Sequence, residues 1–200
     1  MVTFYSNRDI SERLGIRLTK WKRWSREFLP PDPLGGLRSG YARQYSIDQA
    51  FIVFLGGHLV ADMHFSIPEA KKIAADLAGW FEKQGPLVDR SGNGSQANSS
   101  HPWPKDTAVT IYRRAPKDLH QAQTDSGFFY VQRTCLADEG FEKGGPRVRR
   151  ETYREEVIPS ASGAVPGDAG ETLEKIDGRI LYASQLRNRF VNKLLGTAPA

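Results

Sequence analysis

The sequence contains very little cysteine and no long apolar run. Cys135 is the only cysteine among 200 residues, which excludes an intramolecular disulfide and a zinc site built on paired cysteines. The longest apolar stretch, residues 51–61, contains two glycines and a histidine and is far shorter than the ~20 residues that span a bilayer. Charged residues interrupt residues 8–13, so no signal-peptide pattern is found there. These absences predict a cytoplasmic protein without a membrane partner.

No charge of one sign dominates the composition either. Twenty-eight Lys and Arg against 23 Asp and Glu give a net charge of +5, an excess that permits an anionic partner without requiring one. The excess is concentrated in residues 20–43, where six basic residues stand against Glu27 and Asp32. Such clusters neutralise phosphates and supply non-specific affinity for DNA. The six are Lys20, Lys22, Arg23, Arg26, Arg38 and Arg43.

The first 84 residues carry the start and stop signals of four helices. One helix ends at Leu14, and Gly15 supplies the left-handed residue that often follows a helix. A second helix, about residues 18–28, has Trp21 on its apolar stripe and ends before two prolines. Two helices joined by so short a turn are typical of a helix-turn-helix. Helix N-caps are predicted at Ser6 or Asn7, at Ser46 and at Ser66, and residues 33–45 predict a small hairpin.

The composition changes after residue 84. Residues 85–106 are rich in Gly, Pro, Ser and Asn and predict a flexible linker. Three β-rich runs then predict an antiparallel meander, and residues 179–195 predict an amphipathic helix with a stripe of Leu186, Phe190 and Leu194. Charges along the third run indicate an exposed or edge strand. The predicted fold class is α+β, with domains at 1–84 and 107–200; the three runs are 108–113, 128–136 and 148–158.

Five aromatic residues of the second domain allow two interpretations. They could line a pocket for an aromatic ligand, or they could form the core of a small sheet. We favour the core, because aromatic residues are enriched in half-buried strands. Cys135, which stands late in the second run, is likewise expected to be a small core or sheet residue. The five are Tyr112, Phe128, Phe129, Tyr130 and Tyr153.

Six short motifs follow one another in the first domain. They are Tyr5-Ser6-Asn7-Arg8-Asp9-Ile10, Leu14-Gly15-Ile16, Lys22-Arg23-Trp24, Leu29-Pro30-Pro31, Arg38-Ser39-Gly40-Tyr41 and Arg43-Gln44-Tyr45-Ser46. In this order they resemble the N-terminal domain of the MerR family over about residues 3–84. That family has a winged helix-turn-helix and usually binds operator DNA as a dimer. The resemblance therefore implies four helices with a small β wing, a double-stranded DNA partner and a homodimer.

The resemblance also implies which residues contact DNA. Residues 18–28 match the recognition helix and residues 34–45 match a basic wing. Arg and Lys side chains in these segments reach phosphates and guanine edges, whereas we assign Trp21 to packing. The residues so implied are Arg17, Thr19, Lys22, Arg23 and Trp24 for the recognition helix, and Arg38, Tyr41 and Arg43 for the wing.

The sequence departs from the family pattern in three respects. The wing is one residue longer than the usual Gly-Tyr-Arg-x-Tyr, since residues 40–45 read Gly-Tyr-Ala-Arg-Gln-Tyr. No long dimerisation helix is evident after residue 84. A single cysteine argues against metal sensing through thiolates, so no metal is expected.

These observations predict a sequence-specific DNA-binding transcriptional regulator of bacterial type, associated with the nucleoid. An alternative with the same domain is an architectural DNA-binding factor of a mobile element or phage, either excisionase-like or a packaging subunit. Residues 107–200 are expected to bind a small molecule or a protein partner, or to oligomerise through the last helix. No nucleophile, metal-ligand or phosphate-loop motif occurs, so we expect neither an enzyme nor a cofactor.

Overall fold

The computed structural model describes residues 4–32, 42–85, 87, 106–113, 127–140, 148–159 and 177–196. In this part the chain forms an α+β fold with five helices and two small antiparallel sheets. Expectations about residues 33–41 of the wing, and about most of the linker, fall outside the described residues. In chain order the elements are β1 (Tyr5–Ser6), α1 (Asn7–Leu14), α2 (Leu18–Phe28), β2 (Gln44–Tyr45), α3 (Ile47–Ala61), α4 (Ile67–Lys83), β3 (Thr107–Arg113), β4 (Phe128–Gly140), β5 (Val148–Ile158), β6 (Asp177–Leu181) and α5 (Ala183–Leu195).

Local sequence explains where the first helices begin and end. The Ser6 hydroxyl accepts from the Asp9 amide at 3.2 Å, and the Asp9 carboxylate accepts from the Ser6 amide at 2.9 Å, which forms a capping box at the start of α1. Gly15 ends α1 at φ +67°, where a side chain would be strained. Ser46 and Gln49 form a second capping box at the start of α3. The predicted bounds of α1 and α2 are confirmed.

The chain divides into two compact units, and neither is one continuous stretch. The first contains residues 1–75, 86–97 and 186–200, and the second contains residues 76–85 and 98–185. The division expected at residues 84 and 107 stays a prediction, while the bounds of the two compact units fall within α4 and within α5. Helix bounds alone could not indicate this, because a helix can belong to one unit at its start and to another at its end.

The first unit is held together by close packing of α2 on α3. Trp21 is fully buried, and its ring meets that of Tyr45 edge to face with the centroids 5.7 Å apart. The ring of Trp24 occupies the space that a Cβ on Gly57 would need, and the ring of Phe28 does the same at Gly56. The assignment of Trp21 to packing is confirmed.

The apolar stripe of α5 is buried within the chain. Phe190 is fully buried, with its ring centroid 5.3 Å from that of Phe51 and 5.4 Å from that of Phe54. Leu186 is 4% exposed and Leu194 is fully buried. The expectation that this stripe supports self-association is therefore wrong, because these side chains are already used in the core of the first unit.

Helices α1 and α5 each complete the other's C-terminal end. Arg13 Nη1 donates to the carbonyl of Leu194 at 2.6 Å, and Lys193 Nζ donates to the carbonyl of Leu14 at 3.4 Å. The last carbonyls of a helix have no partner within it, and the negative end of its dipole favours a cation. Arg13 is exposed and nevertheless has a structural contact.

The second unit contains a four-stranded antiparallel sheet with the order β5-β4-β3-β6. The predicted meander of β3, β4 and β5 is confirmed, and the charged strand β5 lies at an edge of this sheet as predicted. Strand β6 was not predicted: residues from 179 on were assigned to the last helix, whereas residues 177–181 pair with β3 and α5 begins at Ala183. Of the five β6 residues, only Leu181 is buried. The sequence of this strand therefore shows little alternation of apolar and polar residues.

One face of this sheet is covered within the second unit. Tyr130 donates to the Asp76 carboxylate at 2.8 Å, and the Trp80 indole N–H donates to the Gln132 side chain at 2.8 Å. Successive residues of a strand point to opposite faces, so the alternate residues of β3, which are Ala108, Thr110 and Tyr112, lie on the other face. The apolar residues buried in the sheet include Val109, Ile111, Phe128, Phe129, Tyr130 and Leu181.

The aromatic residues of the sheet divide between the core and the surface. The prediction of a core role is confirmed for Phe128, Phe129 and Tyr130, which are 0–4% exposed. Tyr112 stacks on Phe129 with the ring centroids 4.7 Å apart and the planes 13° from parallel. For Tyr153 the prediction is wrong, because its side chain is 45% exposed on the edge strand β5.

Candidate nucleic-acid interface

Helix α2 has one buried and one cationic face. Trp21, Trp24 and Ser25 are buried. Thr19, Lys22, Arg23 and Arg26 are exposed, and their spacing of three, four and seven residues places them on one stripe of the helix. We call these four residues the α2 stripe. The stripe carries three positive charges and no negative one, which suits contact with a polyanion.

The N-terminal end of α2 is also open to an anion. Arg17 is the N-cap residue, and its side chain makes no capping hydrogen bond. No acidic residue lies in the first turn of this helix, so the amide groups there have no carboxylate acceptor of their own. Arg17 and Lys20 are both exposed, and Lys20 Nζ lies 4.7 Å from the centre of the Trp24 ring. Phosphate binds readily where helix amides and cations coincide.

A groove of about 490 Å³ runs beside the C-terminal half of α2. It brings Lys22 and Arg26 of the α2 stripe together with Arg43, which immediately precedes β2. Arg43 lies over the Tyr45 ring at 5.6 Å, and the Tyr45 hydroxyl donates to Asn7 Oδ1 at 2.7 Å. Helix α2 therefore contributes two cations to this concave surface, and the segment before β2 contributes one. Asp32 is the acidic residue in its lining.

Glu27 is the acidic residue of α2, and it pairs with a lysine of another helix. Its carboxylate lies 2.7 Å from Lys71 Nζ of α4. The hydrogen bond and charge of Lys71 lower the pKa of Glu27, and the charges of Arg23 and Arg26 lower it further. Glu27 therefore stays ionised at neutral pH and is paired with Lys71.

The eight DNA-contact residues implied by the sequence fall into four groups. The residues of the first group are exposed and lie on α2 or immediately before it: Arg17, Thr19, Lys22 and Arg23. Arg43 is half-buried and lies in the groove, while Arg38 and Tyr41 fall outside the described residues. Trp24 is different: it is 8% exposed and packs against Gly57, so its expected contact with DNA is wrong and it belongs to the core.

Sequence reasoning left two exposed cations of α2 out of the contact set. Lys20 and Arg26 were counted in the basic cluster but were not named as contacts. The spacing of Arg26 indicates that it lies on the same helix face as the predicted contacts, because it stands three residues after Arg23 and four after Lys22. Lys20 could have been found as the first exposed cation within α2.

Comparisons with known proteins do not indicate a function, so this surface is the main evidence for one. No family model, no curated protein and no solved structure matches the chain. Among the residues that the structure describes, no cluster of three or more His, Cys, Asp or Glu is placed to hold a metal ion. No described helix has both the length and the apolar character needed to cross a bilayer.

Proposed function

We propose that this protein is a sequence-specific DNA-binding transcriptional regulator that inserts α2 into the major groove. The observation that carries the proposal is the exposed α2 stripe, with three cations on one helix face opposite a buried face of tryptophans. Lys and Arg side chains on such a face neutralise phosphates and donate to O6 and N7 of guanine. The groove beside α2 adds Arg43 to the same surface.

The winged helix-turn-helix form of the proposal rests on the motifs that resemble the MerR family. Helix α1, the turn at Gly15 and helix α2 follow one another in this order, and the proposed wing is the segment of residues 34–45. A homodimer bound to a two-fold symmetric operator follows from the same resemblance, with half-sites about one helical turn or a multiple of it apart. A nucleoid-associated location in the cytoplasm fits this role.

The first experiment is selection of genomic fragments that the purified full chain retains. We expect retention to fall steeply with salt concentration, since phosphate neutralisation releases counterions. A site at a promoter would fit regulation, whereas a site at an attachment or packaging sequence would contradict it and identify an architectural factor. Absence of any salt-dependent retention would overturn DNA binding altogether.

The second experiment removes single charges. Lys22→Ala and Arg26→Ala are each expected to weaken binding and to reduce the slope of log affinity against log salt by about 0.9 per lost phosphate contact. Lys83→Ala is the matched control, because it removes the same charge from an exposed position at the end of α4. Equal losses in all three variants would show that net charge alone governs binding. Circular dichroism checks that each variant remains folded.

A further inference from the structure

The face of the four-stranded sheet that bears Ala108, Thr110 and Tyr112 carries a concave site of about 650 Å³. This volume lies in the usual range for small-ligand sites. Its lining includes the small residues Ala108 and Gly178, which leave space above the sheet, and the aromatic residues Tyr112, Tyr153 and Tyr182. Tyr153 and Tyr182 are 45% and 55% exposed. Tyrosine rings beside a low floor suit a flat ligand that stacks on them.

Two of these tyrosines are held in place by their neighbours. A Cβ on Gly178 would stand 2.8 Å from Tyr112 Cε1, so the Tyr112 ring lies across the backbone of β6 only because residue 178 has no side chain. On the other side of that ring is Phe129, stacked nearly parallel to it. Arg133 Cζ lies 3.8 Å from the centre of the Tyr153 ring, which fixes that ring by a cation–π contact. These rings are ordered before a ligand arrives.

The polar groups of the site form a donor and an acceptor side by side. Arg133 and Glu155 are directly opposite in the register of β4 and β5, so their Cβ atoms are about 5 Å apart. Glu155 has no hydrogen bond or ion pair with any other residue that the structure describes. Arg133 offers planar N–H donors and Glu155 offers two acceptor oxygens. A ligand edge that fits both must carry an acceptor next to two donors.

Charge excludes other classes of occupant. The charged side chains in the lining are Arg133, Glu155 and Asp106, one cation against two carboxylates. A polyphosphate or a nucleic-acid strand would be repelled, since strand-binding grooves are strongly positive. A purely apolar protein surface would leave the Arg133 and Glu155 charges desolvated and unpaired.

We propose that this face binds guanine as a free base or nucleoside. Guanine presents O6 and N7 to an arginine, and its adjacent N1–H and N2–H₂ groups suit the two oxygens of a carboxylate. Its flat bicyclic ring stacks on the exposed rings of Tyr153 and Tyr182. The proposal is independent of DNA binding by α2, because all the lining residues belong to the second unit.

Cys135 provides a reporter for this site. It lines the cleft, is partly exposed and lies opposite Tyr153 in the strand register. It is also the only cysteine of the chain, so its alkylation by iodoacetamide reports on one position. We expect saturating guanosine to slow this alkylation several-fold. Inosine should slow it only at higher concentration, because inosine lacks the N2 amine, and adenosine should have little effect. Equal protection by guanosine and adenosine, or none by guanosine, would overturn the proposal.

Substitutions in β5 give a matched comparison. Glu155→Gln is expected to weaken guanosine binding by about 10- to 100-fold, measured by titration calorimetry, because it removes a charge-assisted hydrogen bond. Glu156→Gln should leave binding unchanged, since its side chain points to the opposite face and pairs with Arg154. Equal losses in both variants would contradict the proposal. So would tighter binding of a guanine-containing single-stranded oligonucleotide than of guanosine, which would identify a nucleic-acid strand as the ligand instead.

Discussion

At the scale of single residues, Tyr130 is a buried side chain with one charged partner. Its hydroxyl donates to the Asp76 carboxylate at 2.8 Å within the second unit. Burial raises the pKa of Tyr130 far above its ordinary value of 10.0, and the hydrogen bond and charge of Asp76 raise it further. The folded protein therefore keeps the Tyr130 proton at alkaline pH, whereas the unfolded chain releases it.

This difference predicts how stability depends on pH. Below pH 10 both the folded and the unfolded chain hold the Tyr130 proton, and its contribution to stability is complete. Above pH 10 only the unfolded chain loses this proton. The free energy of unfolding therefore falls by up to about 1.4 kcal/mol per pH unit. Tyr130→Phe should remove this part of the slope in urea unfolding between pH 10 and 11. Tyr182→Phe, at a position 55% exposed, should keep it. Identical slopes in Tyr130→Phe and the unsubstituted protein would refute the assignment.

The exposed cations show what sequence spacing predicts at this scale. Lys22 and Arg23 were predicted to face outward because the helix period places them opposite Trp21, and both are exposed. The expected contact of Trp24 with DNA rests on the motif Lys22-Arg23-Trp24, whereas the helix period places this residue on the same side as Trp21. It stands three residues after Trp21, on the buried side. Arg43 joins Lys22 only through the path of the chain from α2 to β2, which no local pattern indicates.

At the scale of elements, the contact between α2 and α3 depends on two residues without side chains. Gly56 and Gly57 lie inside α3, where glycine costs about 1 kcal/mol in helix propensity relative to alanine. The rings of Phe28 and Trp24 occupy the space that their Cβ atoms would fill. Close approach of the two helices therefore outweighs the loss of helix propensity.

A pair of glycine substitutions separates these two effects. Gly57→Ala should destabilise the protein by about 1–3 kcal/mol, because the added methyl group meets the buried Trp24 ring. Gly79→Ala in α4 should stabilise it by about 0.5–1 kcal/mol, because a Cβ there has no atom within 4 Å. Thermal unfolding measures both. A stabilised Gly57→Ala variant would show that α2 and α3 are less closely packed than described.

Strand pairing limits what the sequence predicts about elements. Helix bounds and the three-stranded meander follow from local signals such as caps, prolines and alternation. Strand β6 depends on a partner far away in the chain, since Val109 pairs with Leu181. Only one of the five β6 residues is buried. The segment forms a strand because it pairs with the edge of β3, and its strand propensity alone does not indicate this pairing.

At the scale of the whole molecule, α5 stabilises the first unit. Phe190→Ala should lower the free energy of unfolding by about 3–5 kcal/mol, because it leaves a cavity between the rings of Phe51 and Phe54. Leu195→Ala, at a position 39% exposed on the same helix, should cost much less. Urea unfolding of the full chain, followed by circular dichroism, measures the loss in each variant. Similar losses in the two variants would contradict the role of the Phe190 contact.

The contacts between α1 and α5 also have a consequence for synthesis. The residue pair Arg13 and Leu194 is separated by 181 positions in the chain. Residue 186 follows the end of α3 by 125 positions, which takes roughly 6–25 s at about 5–20 residues per second. During that interval the ring surfaces of Phe51 and Phe54 have no α5 to cover them on the ribosome. The segment that completes the first unit is made after every described strand of the sheet, so nascent chains that stall before residue 186 should depend on chaperones to stay soluble.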